Sequence, residues 1–150
     1  MTIQRDSHPP ARRRVLFLCT GNSARSQMAE ALVRARWGSR WEAFSAGTRP
    51  AGFVHPEVGA VLQEWGIEVG PARSKSVEEF AGQAFDLVVT VCDQAQEACP
   101  VWPGQGQRVH VGFPDPAAVT GPPEVVRAAF RRVRDEMAGR LADLLGPPDA

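Results

Sequence analysis

The sequence predicts an α/β fold, a three-layer α/β/α arrangement around a central four-stranded parallel sheet. Three observations carry that expectation. Two continuous apolar runs of strand length, RVLFLC (residues 14–19) and FDLVVTVC (85–92), have the unbroken pattern of strands buried on both faces. Segments with helical spacing separate the strand-like runs, and strand–helix alternation implies right-handed crossovers that cover both sides of a parallel sheet. Glycine follows two of the helical segments, at Gly38 and Gly66, and proline opens two, at Pro56 and Pro123.

Residues 1–12 (MTIQRDSHPPAR) are polar, proline-containing and aperiodic, as in a disordered leader, so a single domain is expected over 13–146 with 147–150 as a tail. RVLFLC is the first strand. Met28, Ala31, Leu32 and Ala35 then recur at helical spacing, with Gly38 as a stop. WEAFSAGT (41–48) reads as the second strand and ends in a glycine turn. Pro56 to Trp65 is a helix closed by Gly66, and Val77 to Ala81 a shorter helical piece. FDLVVTVC repeats the first strand's pattern, down to finishing on a cysteine. RVHVGF (108–113) is a weaker strand, and Pro123 to Leu145 is a long helix with apolar Val126, Ala129, Phe130, Val133, Met137, Leu141 and Leu144.

A chain of 150 residues buries about two-thirds of its unfolded surface and needs no disulfide staple. Seventeen basic residues balance seventeen acidic ones, so no overall field draws the protein to nucleic acid or an anionic membrane, and any anion site must be local. No apolar run approaches bilayer length, and VLFLC is too short for a signal-peptide core, so a cytoplasmic protein is expected. Three cysteines, Cys19, Cys92 and Cys99, without an export signal argue against a static disulfide framework and for thiols used chemically.

The loop Cys19-Thr20-Gly21-Asn22-Ser23-Ala24-Arg25-Ser26 links a strand to a helix, so its N–H groups can point inward at the positive end of that helix and cradle a tetrahedral oxyanion. Gly21 permits tight curvature, and Arg25 offers a planar charged fork to two oxygens. A cysteine in that setting is favoured as its thiolate, the nucleophilic form. Ser26 can hydrogen-bond the sulfur, while Asn22 organises the loop backbone. A lone cysteine at a strand end is ordinarily a core residue; Cys-x5-Arg-Ser between strand and helix is not ordinary.

In an open α/β sheet, ligands bind at the carboxyl edge, where the loops after LFLC and after VVTVC both open. Cys19 and Cys92 can therefore share a site. Were DQAQEA helical, Cys92 and Cys99 would lie on one face about 10 Å apart along the axis. A disulfide needs Cα atoms within about 7 Å, so joining them requires the segment to unwind or loop. Alone, this pair reads as a core thiol and an incidental surface thiol. Asp115, in Gly112-Phe-Pro-Asp-Pro116 after the last strand, should return to the same edge; without Cys19 and Arg25 it would be a plain Asp-Pro turn.

CTGNSARSQMAEA (19–31) resembles the anion-binding loop of the low-molecular-weight protein tyrosine phosphatase superfamily, in particular that of its thioredoxin-coupled arsenate reductases. FSAGT, SKSVEEF, DLVVTVC, the Cys-x6-Cys spacing, GFPDPA and FRRVRDEM fall in the same order as similar segments of those reductases, over about residues 13–143. The resemblance implies a low-molecular-weight phosphatase-like fold and reduction of arsenate to arsenite for arsenic detoxification, with residues 20–26 binding the oxyanion. Cys19 would be the nucleophile, Arg25 the oxyanion ligand and Asp115 the acid. Cys19–Cys92 and then Cys92–Cys99 disulfides would form in turn, with thioredoxin as reductant and phosphate or sulfate as competing anions. Ala24 departs from the pattern, since many members carry a cysteine there, but that position is outside the relay.

Some reductases of this family bind potassium near the loop, and Asn22, Glu30 and Ser45 fall where such ligands lie. Lys75 stands where an acidic ligand would be expected, so its ammonium could replace the cation and no potassium is expected. The thiols, His55 and His110 fit no other metal-ligand spacing. Two rivals remain at this point: a phosphatase using the same loop, with a weak phosphatase side activity in any case plausible, and a non-enzymatic oxyanion-binding or redox-sensing module. Nothing in the sequence demands more than a monomer.

Overall fold

The computed structural model describes residues 11–93 and 101–150; Cys99, the helical reading of the segment before it and residues 1–10 of the expected leader lie outside the described residues. The elements are β1 (Arg13–Cys19), α1 (Arg25–Arg36), β2 (Trp41–Gly47), α2 (Pro56–Gln63), β3 (Leu87–Thr90), β4 (Gln107–His110) and α3 (Pro123–Leu145), with 3₁₀ turns at Val77–Phe80 and Pro116–Ala118. The four strands form one parallel sheet in the order β2-β1-β3-β4. β1 has strands on both sides, and its Val15 through Leu18 are fully buried.

Because side chains alternate along a strand, β1 feeds two cores. Val15, Phe17 and Cys19 point into the larger one, built with Met28, Leu32 and Val33 of α1, Val58, Val61 and Leu62 of α2, and Phe130, Val133, Met137 and Leu141 of α3. Leu16 and Leu18 point the other way, to Ala46, Phe80, Phe85, Val88 and Trp102. Edge-on contacts among Phe44, Phe80, Phe85 and Trp102 close that second face, a favoured aromatic geometry.

Register is what builds the site. Cys19 lies opposite Gly47, and Leu18 opposite Thr90, so β1, β2 and β3 end along a common carboxyl edge. Several elements end sooner than their apolar runs. β3 stops at Thr90, although Val91 N still donates to Leu18 O at 2.9 Å. β4 stops at His110, just ahead of Gly112 and Pro114, the latter having no N–H for a ladder. α2 ends at Gln63 rather than Trp65, and the chain turns through Gly66 at φ +73°. The four-residue piece at Val77–Phe80 is too short for α-helical bonding and tightens to 3₁₀ geometry, with Ser76 Oγ accepting from Glu78 N. At the C-terminus, Asp149 accepts from Ser39 N and Ser39 Oγ, so residues past α3 fold back on the end of α1.

Candidate active site

The loop between β1 and α1 is turned by its own carbonyls. Thr20 O accepts from Arg49 N (2.9 Å), Gly21 O from Ala51 N (2.8 Å), Asn22 O from Gln27 Nε2 (3.2 Å) and Ser23 O from His55 N (2.8 Å). In a planar trans peptide the N–H points opposite to the C=O. Four successive carbonyls bonded outward therefore turn the N–H groups of Gly21, Asn22, Ser23 and Ala24 toward the loop's centre, an anion-binding concavity at the start of α1. Ala24, the N-cap of α1, has no side-chain cap bond, so no side chain at that position covers the helix's positive end.

Cys19 lies at the floor of this concavity, buried and as a free thiol. Asn22 N donates to its Sγ at 3.2 Å, and Ser26 Oγ lies 2.8 Å from it. The neighbours of Ser26 fix what reaches its oxygen. Asn22 Oδ1 accepts from Lys75 N at 2.7 Å and from Gln27 Nε2 at 2.9 Å, which fixes the amide so that Nδ2 donates to Ser26 Oγ at 2.8 Å. Ser26 Oγ thus accepts from Asn22 and keeps its one hydrogen available to Cys19 Sγ, to which it would be given whenever the sulfur reacts as a thiolate.

Arg25 and Asp115 complete the rim. The buried Arg25 guanidinium donates from Nη1 to Phe113 O at 3.1 Å, and its Nη2 lies 3.9 Å from Asp115 Oδ2. Asp115 caps the Pro116–Ala118 turn, its Oδ1 accepting from Ala117 N at 3.0 Å. One carboxylate oxygen is anchored and the other faces the arginine, while the side chain keeps 40% of its exposure and so can exchange protons with water. β1, α1 and the loop after β4 bring Cys19, Arg25, Ser26 and Asp115 to one place. Cys92 is fully buried just past the end of β3, the strand beside β1.

Beneath the loop, the ammonium of Lys75 lies 3.5 Å from Glu30 Oε1, 3.4 Å from Ser45 Oγ and 3.0 Å from Arg73 O, while Ser45 Oγ donates to Glu30 Oε1 at 2.7 Å. Burial pulls the Lys75 pKa below the usual lysine value, with the Glu30 carboxylate opposing that shift. A positive charge is thus built into the group formed by Glu30 and Ser45. These residues do not fit a bound potassium ion, because an ammonium already sits among them. Among the described residues no cluster of His, Cys, Asp and Glu could hold a metal ion, and no helix is long and apolar enough to cross a membrane.

Two contributors escape motif reading. Gly47, inside the FSAGT segment, faces the loop so closely that a Cβ there would meet Thr20 O at 2.4 Å and Asn22 N at 3.0 Å. Gln27, inside the SQM segment, bonds to Asn22 from below. Neither residue type suggests an anion site, and only the register of β2 on β1 and the first turn of α1 bring them there. His55 has a structural part: its Nδ1 accepts from Glu57 N and its ring packs on Phe130 with centroids 4.6 Å apart.

Comparison with known proteins agrees with this geometry. The chain is 43% identical, over 85% of its length and 91% of the relative's, to an arsenate reductase of Halalkalibacterium halodurans. Its fold superimposes with a TM-score of 0.74 on an arsenate reductase from Archaeoglobus fulgidus at 35% identity, covering 88% of this chain and 98% of the other. A thioredoxin-dependent arsenate reductase from Corynebacterium glutamicum matches with a TM-score of 0.67 at 28% identity, covering 91% of this chain and 61% of that one. The family of low molecular weight phosphotyrosine protein phosphatases matches residues 14–147, and to that family this chain belongs.

Proposed function

We propose that the protein is an arsenate reductase in which Cys19, Cys92 and Cys99 pass a disulfide outward to a thioredoxin. The observation that carries this reading is the placement of a second thiol position: Cys92, fully buried, follows the strand next to the one that ends on Cys19. The oxyanion loop alone would serve a phosphatase equally well. The similar proteins described as arsenate reductases, one of them thioredoxin-dependent, support the same reading.

The chemistry follows from the side chains. Arsenate is held by the inward N–H groups of residues 21–24 and by Arg25. Cys19 thiolate attacks arsenic, and Asp115 protonates the departing oxygen, which leaves as water. Cys92 thiolate then attacks Cys19 Sγ. The sulfur–arsenic bond breaks with its electron pair on arsenic, which falls from As(V) to As(III) and leaves as arsenite. Cys99 thiolate attacks Cys92 Sγ, freeing Cys19 and leaving a Cys92–Cys99 disulfide. A thioredoxin dithiol supplies the two electrons that restore it. Were the segment between Cys92 and Cys99 helical, it would have to unwind or loop for these two sulfurs to bond.

Lys75 takes the place of a monovalent cation under the loop, so activity is expected to be the same in potassium and sodium buffers. A potassium-dependent rise in activity or melting temperature would count against this assignment.

The deciding experiment is NADPH consumption coupled through thioredoxin and thioredoxin reductase. Consumption is expected only when arsenate is added, and Cys99→Ser is expected to release one equivalent of arsenite and stop. Sustained turnover of Cys99→Ser would overturn the relay. Turnover of p-nitrophenyl phosphate without arsenate-dependent NADPH use would make the protein a phosphatase, while anion binding with neither activity would make it a binding or sensing module.

A further inference from the structure

We propose that Gln27 is a positioning residue for the chemistry of Cys19, acting through Asn22; the proposal deepens the reading above and rests on Cys19 being its nucleophile. Asn22 is the pivot of the loop. It is fully buried and is the only described non-glycine residue at positive φ (48°), a left-handed conformation that asparagine tolerates better than most side chains but still needs support. Its backbone N–H reaches Cys19 Sγ and its Nδ2 reaches Ser26 Oγ, so both donors on the sulfur depend on its orientation.

Gln27 grips this pivot at two points. Its Nε2 lies 3.2 Å from Asn22 O and 2.9 Å from Asn22 Oδ1, and a third contact at 2.8 Å reaches Arg73 O on the segment that also presents Lys75 N to Asn22 Oδ1. All three atoms are acceptors, so the amide must present its NH₂ to them. Its Oε1 finds no hydrogen-bond partner among the described residues, and the whole side chain works as a donor. Held 1% exposed in the first turn of α1, Gln27 cannot turn away to water.

The consequence is directional. Without the Gln27 donor, Asn22 Oδ1 keeps Lys75 N and Asn22 O loses its contact with Gln27, so the peptide and the amide are both freer to rotate. Rotation of the amide presents Oδ1 instead of Nδ2 to Ser26 Oγ; Ser26 would then donate to Asn22, and Cys19 would lose that donor. The effect falls on the sulfur's reactivity rather than on anion binding, which the other loop amides and Arg25 supply.

Gln27→Met keeps length and burial while removing the donor. In reduced full-length protein, alkylation of Cys19 by iodoacetamide can be followed on the tryptic peptide Val15–Arg25, which Arg14 and Arg25 release. We expect alkylation at neutral pH to slow and kcat to fall roughly tenfold, with KM changed less than about threefold. Unchanged alkylation with kcat within about twofold of wild type would overturn the proposal. Should Gln27→Met fail to fold, hydrogen exchange of the Gln27 side-chain NH₂ in the wild-type protein decides: strong protection supports the clamp, and exchange at the rate of a free amide overturns it. The alkylation assay contains no arsenate, so loss of the reductase reading would appear separately, as a wild-type protein inert in the coupled assay.

Discussion

Asn22 Nδ2 donates to Ser26 Oγ at 2.8 Å, which leaves the Ser26 hydrogen available to Cys19 Sγ, 2.8 Å away, when that sulfur is a thiolate. A hydrogen bond to a charged group contributes about 1.5–3 kcal/mol, or roughly 10- to 150-fold in rate. Ser26→Ala removes the donor while keeping the volume small. We expect slower Cys19 alkylation at neutral pH and a fall in arsenate turnover within that range, measured by the coupled assay. Unchanged alkylation would mean that Cys19 does not depend on Ser26.

Gly47 is constrained by backbone rather than by flexible side chains. A Cβ at 2.4 Å from Thr20 O and 3.1 Å from Asn22 Cβ has nowhere to go, because Thr20 O is itself tied to Arg49 N. Gly47→Ala should cost at least the roughly 1–3 kcal/mol typical of overpacking. It should also displace the loop. The expected outcome is a lower melting temperature together with weakened protection of Cys19 by phosphate against alkylation; loss of stability alone would show that the loop tolerates the push.

Much of the site was legible because its chemistry is written contiguously. Cys19, Arg25 and Ser26 lie within eight residues, and the loop type follows from an apolar strand running into a helix start. Asp115 was legible because an Asp-Pro turn after the last strand must return to the carboxyl edge. Gln27 and Gly47 were not. Gln27 meets Arg73 across 46 positions, and Asn22 meets Lys75 across 53, contacts that depend on how β2 and the 73–76 segment dock under the loop. Strand limits were also overread: the apolar run to Cys92 continues past Thr90, because burial persists where ladder pairing has ended.

Asp115→Asn keeps shape and the cap on Ala117 N but cannot supply a proton. Loss of a general acid typically costs about 10²–10⁴ in rate. We expect kcat for arsenate to fall within that range while phosphate still protects Cys19 from alkylation, because the loop amides and Arg25 are untouched. Equal losses in anion protection and turnover would instead assign Asp115 to holding Arg25, which lies 3.9 Å away.

Glu64 lies against two arginines of α3. Arg131 Nη2 and Arg134 Nη1 each lie 2.6 Å from its carboxylate, and their hydrogen bonds hold its pKa at about 2. A depressed carboxylate adds stability that is fully present above its unfolded value of about 4.3 and is lost as pH falls through the folded value. Glu64→Gln should therefore melt below wild type at pH 7, and the difference should shrink toward zero between pH 4 and about pH 2. A gap that stays constant over that range would show that Glu64 acts through packing, as its neighbour Trp65 does under the Arg36 and Arg134 guanidinium groups.

Lys75 is the only lysine in the chain, so reductive methylation with ¹³C-formaldehyde labels one side chain besides the N-terminus. Burial lowers its pKa and Glu30 partly restores it. For a base whose folded pKa is depressed, the fold bears the full cost of the buried charge at low pH. Stability then rises with pH from the folded value up to the unfolded value of about 10.4, and is flat above it. The labelled signal should titrate below that of the same protein in urea. Glu30→Gln removes the opposing carboxylate, so the folded signal should move further down; an upward move would mean that Glu30 is not the partner that keeps Lys75 charged beneath the loop.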